Sequence, residues 1–313
     1  MRKAPYLAPF LAFLLIGVAL VSAATWYRAA ETPPWGWGGA KSANPPQKEQ
    51  ADPSKQEDQA TDFGAFTFLT YNVKNWLVSN QSPEKSPESK EAVIRILVTA
   101  APDVIGLSEI GNREDVEEIR SMLKAEGLDF PHIHHTGGVD PIRHLALLSR
   151  FPIVSTEKPD PSIPGTGHSM QRGILDATLS IAGRKIRFIG IHLKSKRSVQ
   201  EFDQALLRIE EAGHVRKHLD SILAENPDAL LVAYGDFNDT TRTLSTRTFY
   251  GTHLTPGYMN PIHAKDSRGE TWTYRYAVED SYARIDFITV SAALKRYLKR
   301  EASEIIDDPL WDT

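Results

Sequence analysis

Short apolar runs that end in polar, chemistry-bearing side chains recur along the chain. Ala229-Leu230-Leu231-Val232-Ala233-Tyr234 runs into Gly235-Asp236-Phe237-Asn238-Asp239. Phe66 to Tyr71 alternates in hydrophobicity and stops at Asn72, Asp103 to Ser108 stops at Glu109, and Lys185 to Ile191 stops at His192 with Lys194 beyond. Runs of this length, bounded by Gly and turn formers, predict buried strands. Enzymes built on open α/β sheets place their chemistry at the carboxyl ends of such strands. Each polar residue has an ordinary explanation by itself. Gly-Asp-x-Asn makes a good turn, Asn72 is a turn former, Glu109 suits a helix start, and His192 suits a satisfied edge position. Together they predict one rim carrying Asn72, Glu109, His192 and Asp236.

Helical spacing alternates with these runs. Lys90 to Ala100 carries Val93, Ile94, Leu97 and Val98 on one face; Asp115 to Lys124 carries Val116, Ile119, Met122 and Leu123. The longer stretch Val199 to Leu223 places Phe202, Leu206 and Ile209 at helical spacing. All three read as packing faces without a functional role. His214 and His218 have the spacing of a helical metal pair but no accompanying Glu, so they predict a solvated face. His132, His134 and His135 sit before a Gly-Gly loop.

The amino end differs from the rest. Met1-Arg2-Lys3 precedes an uncharged, largely apolar stretch from Ala4 to Tyr27. That length suits either a retained anchor or a signal peptide cleaved near Val21-Ser22-Ala23-Ala24. Either outcome predicts export, because Arg2 and Lys3 favour the cytoplasmic side. Residues 1–30 therefore read as signal peptide or membrane anchor, giving contact with a membrane if uncleaved. Residues 31–62, rich in Pro, Gly, Gln, Lys, Glu and Ser, read as a tether. Residues 63–313 suffice for one α/β domain.

Composition adds two limits. The absence of Cys excludes thiolate chemistry and zinc–thiolate sites. A net charge of −4 gives no overall attraction to nucleic acid. Local cations at Arg143, Arg172, Lys194, Lys196 and Arg197 can nevertheless hold a phosphate of any origin.

Six motifs then occur in order: Thr70-Tyr71-Asn72-Val73, Leu107-Ser108-Glu109-Ile110, Ala146-Leu147-Leu148-Ser149-Arg150-Phe151-Pro152-Ile153, Ile191-His192-Leu193-Lys194-Ser195-Lys196, Gly235-Asp236-Phe237-Asn238-Asp239 and Arg284-Ile285-Asp286-Phe287. In these the chain resembles the endonuclease/exonuclease/phosphatase superfamily from about Phe66 onward. The resemblance implies an α/β four-layer sandwich of two stacked mixed β-sheets flanked by helices. It implies a Mg²⁺-dependent phosphodiesterase, Mn²⁺ being an alternative, with Glu109 as main metal ligand and Asn72 as ligand or orienter. It gives Asp236 the attacking water, Asn238 a phosphate oxygen, and His192 donation to the phosphoryl group. Arg172 and Lys194 are expected to bind substrate. Nucleic acid is the expected substrate, with phospholipid or small phosphoester hydrolysis, or phosphate binding without catalysis, as alternatives. No protein partner is predicted. The aromatic segment Thr271 to Tyr276 resembles one that precedes the Arg-Ile-Asp strand in the family.

One departure stands out. The family's closing Ser-Asp-His is absent, and the chain ends at Pro309-Leu310-Trp311-Asp312-Thr313. By resemblance that His pairs with the residue at Asp286. A domain truncated at its carboxyl end is expected, with weak or absent activity, an unpaired core edge in one sheet, and an Asp286 carboxyl of raised pKa.

Overall fold

Alternation along the strands sets the layers. In the strand Phe66–Trp76, Phe66 and Phe68 join one core cluster, whereas Leu69, Tyr71, Val73 and Trp76 join another. The strand Leu230–Asp236 splits likewise: Val232 and Tyr234 enter the first cluster, Leu231 and Ala233 a third. Successive strand side chains point to opposite faces. The first cluster is thus the filling between two sheets, and the others lie between each sheet and its helices.

The computed structural model describes residues 13–18 (backbone only), 65–77, 85–197 and 200–307. Its strands are β1 (Phe13–Val18), β2 (Phe66–Trp76), β3 (Val104–Ile110), β4 (His132–Thr136), β5 (His144–Ser149), β6 (Ile153–Glu157), β7 (Ile174–Ile181), β8 (Arg184–His192), β9 (Leu230–Asp236), β10 (Asn260–Pro261), β11 (Tyr274–Tyr276), β12 (Ser281–Ala283), β13 (Asp286–Val290) and β14 (Lys299–Ile306). The helices are α1 (Pro87–Ala100), α2 (Arg113–Ala125), α3 (Gln204–Glu225), α4 (Leu244–Tyr250) and α5 (Ala292–Lys295). One sheet has the order β14-β1-β2-β3-β5-β4, the other β10-β13-β9-β8-β7-β6, and β11–β12 is a separate hairpin. Each large sheet contains one parallel pair, β2 with β3 and β8 with β9, among antiparallel ones. Val93, Leu97, Val116 and Ile119 of α1 and α2 cover the first sheet; Val215, Leu219 and Phe249 of α3 and α4 cover the second. The architecture is the four-layer α/β sandwich expected from the sequence.

The sheets meet through aromatic rings. Phe68 lies 5.2 Å from Phe188 and 4.6 Å from Tyr234, measured between ring centroids. Tyr234 reaches from β9 across to β3, where a Cβ on Gly106 would come within 2.0 Å of its ring. A Cβ on Gly190, its neighbour on β8, would lie 2.8 Å from its hydroxyl. Full burial of such rings contributes about 1.5–3 kcal/mol each.

Two expectations change here. Residues 13–18, read as part of a membrane or signal helix, run as a strand between β2 and β14, so the first sheet has no open central slot among the described residues. A six-residue apolar run does not distinguish helix from buried strand by periodicity. No helix among the described residues is long and apolar enough to cross a membrane. The tether, the rest of residues 1–30 and Pro309 to Thr313 lie outside the described residues. The second change concerns α3. Its buried stripe is Leu207, Arg208, Glu211, Ala212, Val215, Arg216, Leu219, Ile222 and Leu223, while Leu206 is exposed. Asp203 caps the helix by accepting from the Ala205 and Leu206 amides, which leaves Phe202 outside it.

Candidate active site

Both parallel strand pairs deliver polar residues to one rim. On β2 and β3 the ladder becomes irregular between Asn72 and Trp76 and between Ser108 and Ile110, just where Asn72 and Glu109 stand. Glu109 adopts a left-handed φ of 60°, and so do Lys74 (49°), Asn75 (58°) and Asn238 (50°) around it. Non-glycine residues pay about 1–3 kcal/mol for such strain, and it concentrates at functional sites. On β8 and β9 the pairing is regular and sets His192 opposite Asp236; β13 sets Asp286 on the other side of Asp236.

Asn72 joins the sheets. Its Nδ2 donates to Glu109 Oε1 at 3.2 Å and to Asp236 Oδ2 at 3.0 Å, while its Oδ1 accepts from the Lys74 amide at 2.9 Å. Glu109 Oε2 accepts from the Asn75 amide at 3.1 Å. His192 Nε2 lies 3.8 Å from Asp236 Oδ2 and 4.0 Å from Glu109 Oε1. Its Nδ1 is buried without a hydrogen-bond partner, as is Oδ2 of Asp286. The Asn238 amide N–H donates to Asp236 Oδ1 at 2.7 Å, and its side-chain Nδ2 to Leu193 O at 2.9 Å.

These neighbours shift the titrations strongly. Burial, with Glu109 adding repulsion, pushes the Asp236 carboxyl up to about 6 despite the hydrogen bonds from Asn238 and Asn72. Burial and then the Asp236 charge hold Asp286 well above the usual carboxylate range, the direction expected from the sequence, against a hydrogen bond from Thr273 and the attraction of Arg284. His192 goes the other way. Burial, then Arg172, Arg143 and Lys194, hold it well below its ordinary value, so the ring is neutral near pH 7.

A cationic wall faces this acidic group. Arg172 is buried, and its Nε and Nη1 have no hydrogen-bond partner. Asp140 stands between Arg172 and Arg143, with Oδ2 3.6 Å from each guanidinium. Lys194 is buried beside them with its Nζ 5.7 Å from the Phe202 ring centroid. Lys196 pairs with Asp239 at 3.3 Å and Arg197 is exposed, so neither joins the wall.

Residues 56–303 match a family model, that of the endonuclease/exonuclease/phosphatase family. The chain belongs to this family. The match begins inside the stretch read as a tether. No curated protein matches the chain in sequence. Among solved structures it is similar to beta toxin 275–280 from Staphylococcus aureus, at 15% identity and a TM-score of 0.52 over 73% of this chain and 86% of that one. It is similar to sphingomyelinase C from Streptomyces griseocarneus, at 17% identity and a TM-score of 0.52 over 72% and 83%. A third is an endonuclease/exonuclease/phosphatase family protein from Leptotrichia buccalis C-1013-b, at 17% identity and a TM-score of 0.51 over 71% and 86%. The likeness is one of fold, and the fold is of the phosphodiesterase type.

The donors gathered at this rim are of the kind that suits a hard divalent cation. Three carboxylates, Glu109, Asp236 and Asp286, repel one another here, with an unpaired carboxyl oxygen among them. Among the described residues no group of three or more His, Cys, Asp or Glu side chains is arranged to hold a metal ion. Mg²⁺ needs only one or two carboxylates and keeps its waters. Asn72, expected as ligand or orienter, presents its NH₂ to the carboxylates and its oxygen to Lys74, which is the orienting role.

Sequence reasoning missed Asp140, Lys74, Asn75, Arg208 and Glu211. For the last two the signal was present: with Arg216 they are the charges that interrupt an otherwise apolar helical stripe. His218 is another correction. It is not solvated but bonded through Nε2 to buried Asp176 at 2.7 Å, whereas His214 meets only Asp160 O at the surface. In the aromatic segment, Thr273 Oγ1 accepts from the Ile285 and Asp286 amides and anchors β13; Trp272 packs edge-on against Tyr282, 5.0 Å away.

Proposed function

We propose that the chain is an exported, metal-dependent phosphodiesterase acting on nucleic acid. The observation that carries the catalytic part is the convergence of Glu109, Asn72, Asp236 and neutral His192 at one rim, opposite a buried guanidinium with free N–H groups. Glu109 would hold Mg²⁺, or Mn²⁺, with Asn72 fixing its carboxylate. When bound, the cation stabilises charge on the phosphoryl and leaving oxygens. Arg172 and Lys194 bind the phosphate and orient its ester bonds. Asp236, its carboxyl raised to about 6, takes a proton from the attacking water near neutral pH. His192 remains neutral and donates an N–H to a phosphoryl oxygen. Asn238 has one side-chain N–H committed to Leu193 and a second available for another phosphate oxygen.

Nucleic acid is favoured over other phosphoesters by the aromatic β11–β12 hairpin, whose Tyr274 is near enough to Asp236 and Glu109 to feel their charge and whose Tyr276 and Tyr282 are exposed. Base–aromatic stacking contributes about 1–3 kcal/mol per base. Export rests on the charged, then apolar, amino end. Cleavage near Ala23 would remove β1 from the folded domain, so β1 and a processed signal are alternatives.

Plasmid nicking by the full chain with Mg²⁺, with EDTA and with Glu109→Ala tests the reading; bis(p-nitrophenyl) phosphate and sphingomyelin are assayed in parallel. Nicking that needs both metal and Glu109 is the expected result. Turnover of sphingomyelin alone would replace the substrate class, and no turnover of any of the three would overturn the catalytic reading. Membrane and extracellular fractions of expressing cells test export; a purely cytoplasmic product would overturn it.

A further inference from the structure

Helix α3 places a carboxylate where its apolar neighbours would suit a Leu. Glu211 is fully buried on the stripe between Leu207 and Val215, and a charge is costly to bury there. Each of its oxygens takes one backbone N–H: Oε1 from Gln171 at 2.9 Å, Oε2 from Lys194 at 2.6 Å. One amide immediately precedes Arg172 and the other belongs to Lys194. One turn earlier, Arg208 Nη1 donates to Lys194 O at 2.9 Å while its Nε donates to Asp239 Oδ2 at 3.1 Å. Lys194 is therefore held to α3 through both its N–H and its C=O.

The need for such a grip follows from Arg172. Its Nε and Nη1 are kept without hydrogen-bond partners. Beyond the 3.6 Å ion pair of its Nε with Asp140, a guanidinium kept ready for an anion relies on its backbone to be located. We propose that Glu211 is a positioning residue for the substrate phosphate: it clips the loops 170–173 and 193–196 to α3 and fixes the spacing of Arg172 and Lys194. This rests on the phosphodiesterase reading above and adds to it the part that shapes the anion side. Glutamine cannot substitute fully, because its NH₂ would face one of the two amide donors. Burial raises the Glu211 carboxyl, opposed by those two amides and by Arg172 and Lys194, so the clip itself favours the charged form.

Binding of inorganic phosphate to the metal-free full chain, followed by calorimetry, tests this with Glu211→Gln, Lys194→Met and the double variant. Glu211→Gln is expected to weaken phosphate about tenfold, and the double variant to lose clearly less than the product of the single losses, since coupled neighbours are non-additive. A wild-type chain that fails to bind phosphate would overturn the phosphate-site reading and this proposal together. Wild-type binding with an unaffected Glu211→Gln, or with losses that multiply, would overturn the positioning role alone. Amide hydrogen exchange of the wild-type chain covers the case in which the variant does not fold. The Gln171 and Lys194 amides are expected to exchange about 100-fold slower than exposed loop amides, and slower still with phosphate. Exchange at loop rates, or no response to phosphate, would overturn it.

Discussion

Two places in the second sheet bury aspartates almost equally and treat them in opposite ways. Asp176 on β7 is 1% exposed, Asp236 on β9 is 3% and Asp286 on β13 is 5%. Burial alone would raise all three. Asp176, however, receives Arg187 Nε on Oδ1 at 2.7 Å, and Arg187 Nη2 at 2.6 Å and His218 Nε2 at 2.7 Å on Oδ2. Against the burial that raises it, His218 and Arg187 together bring its carboxyl below the usual value. At the rim Asp236 has amide donors and Asp286 the Thr273 hydroxyl, with other carboxylates close to both, and both groups go up. Burial sets the stakes and the partners set the sign. Where partners are supplied, the aspartate is structural; where they are withheld, the site is ready for a cation and a phosphate.

Changes on either side of this contrast should differ in kind. The largest effect is expected from Glu109→Ala: about 10³-fold or more in turnover of bis(p-nitrophenyl) phosphate, near 4 kcal/mol of barrier, with a melting midpoint within about 3 °C of wild type. Retained turnover would break the comparison at its functional end. Asp176→Asn is next. It leaves the Arg187 guanidinium without its charge partner and is expected to cost about 3 kcal/mol in urea unfolding at pH 7. A depressed carboxyl stabilises above its unfolded value and loses that contribution as pH falls. The gap between variant and wild type should therefore close below about pH 4. Asp286→Asn should do the reverse. A raised carboxyl costs stability once pH exceeds its unfolded value, so the metal-free variant should gain about 1–2 kcal/mol at pH 8 and nothing at pH 4. Destabilisation at pH 8 would show that the Thr273 bond and Arg284 outweigh the burial and the neighbouring carboxylates. The smallest effect is His218→Gln, about 1 kcal/mol for one hydrogen bond, read from the same urea curves.

The strands and the rim were legible because their signal is local. Apolar runs of strand length stop at the polar residues that gather at the rim, and six motifs in order name the family. The layers followed from the same alternation that separates Phe68 from Leu69. Other features depend on distant partners, and a linear pattern does not hold them. Nothing near His218 points to Asp176, which lies on another element. The stripe of α3 was misplaced by reading Phe202, Leu206 and Ile209 as its face, and that reading hid Glu211 and Arg208. Residues 13–18 illustrate a different limit, since an apolar run is compatible with both helix and strand until its neighbours are known.

The ring of Tyr234 ties three positions into one unit of inheritance. Gly106 and Gly190 leave the space that the ring fills, one from the facing sheet and one from the neighbouring strand. Enlarging either glycine is tolerable only if Tyr234 shrinks in the same lineage, and shrinking Tyr234 first leaves a void for the glycines to fill. Sequence drift at these sites should therefore travel in pairs. A variant with alanine at 106 or 190 has to be judged by what stands at 234.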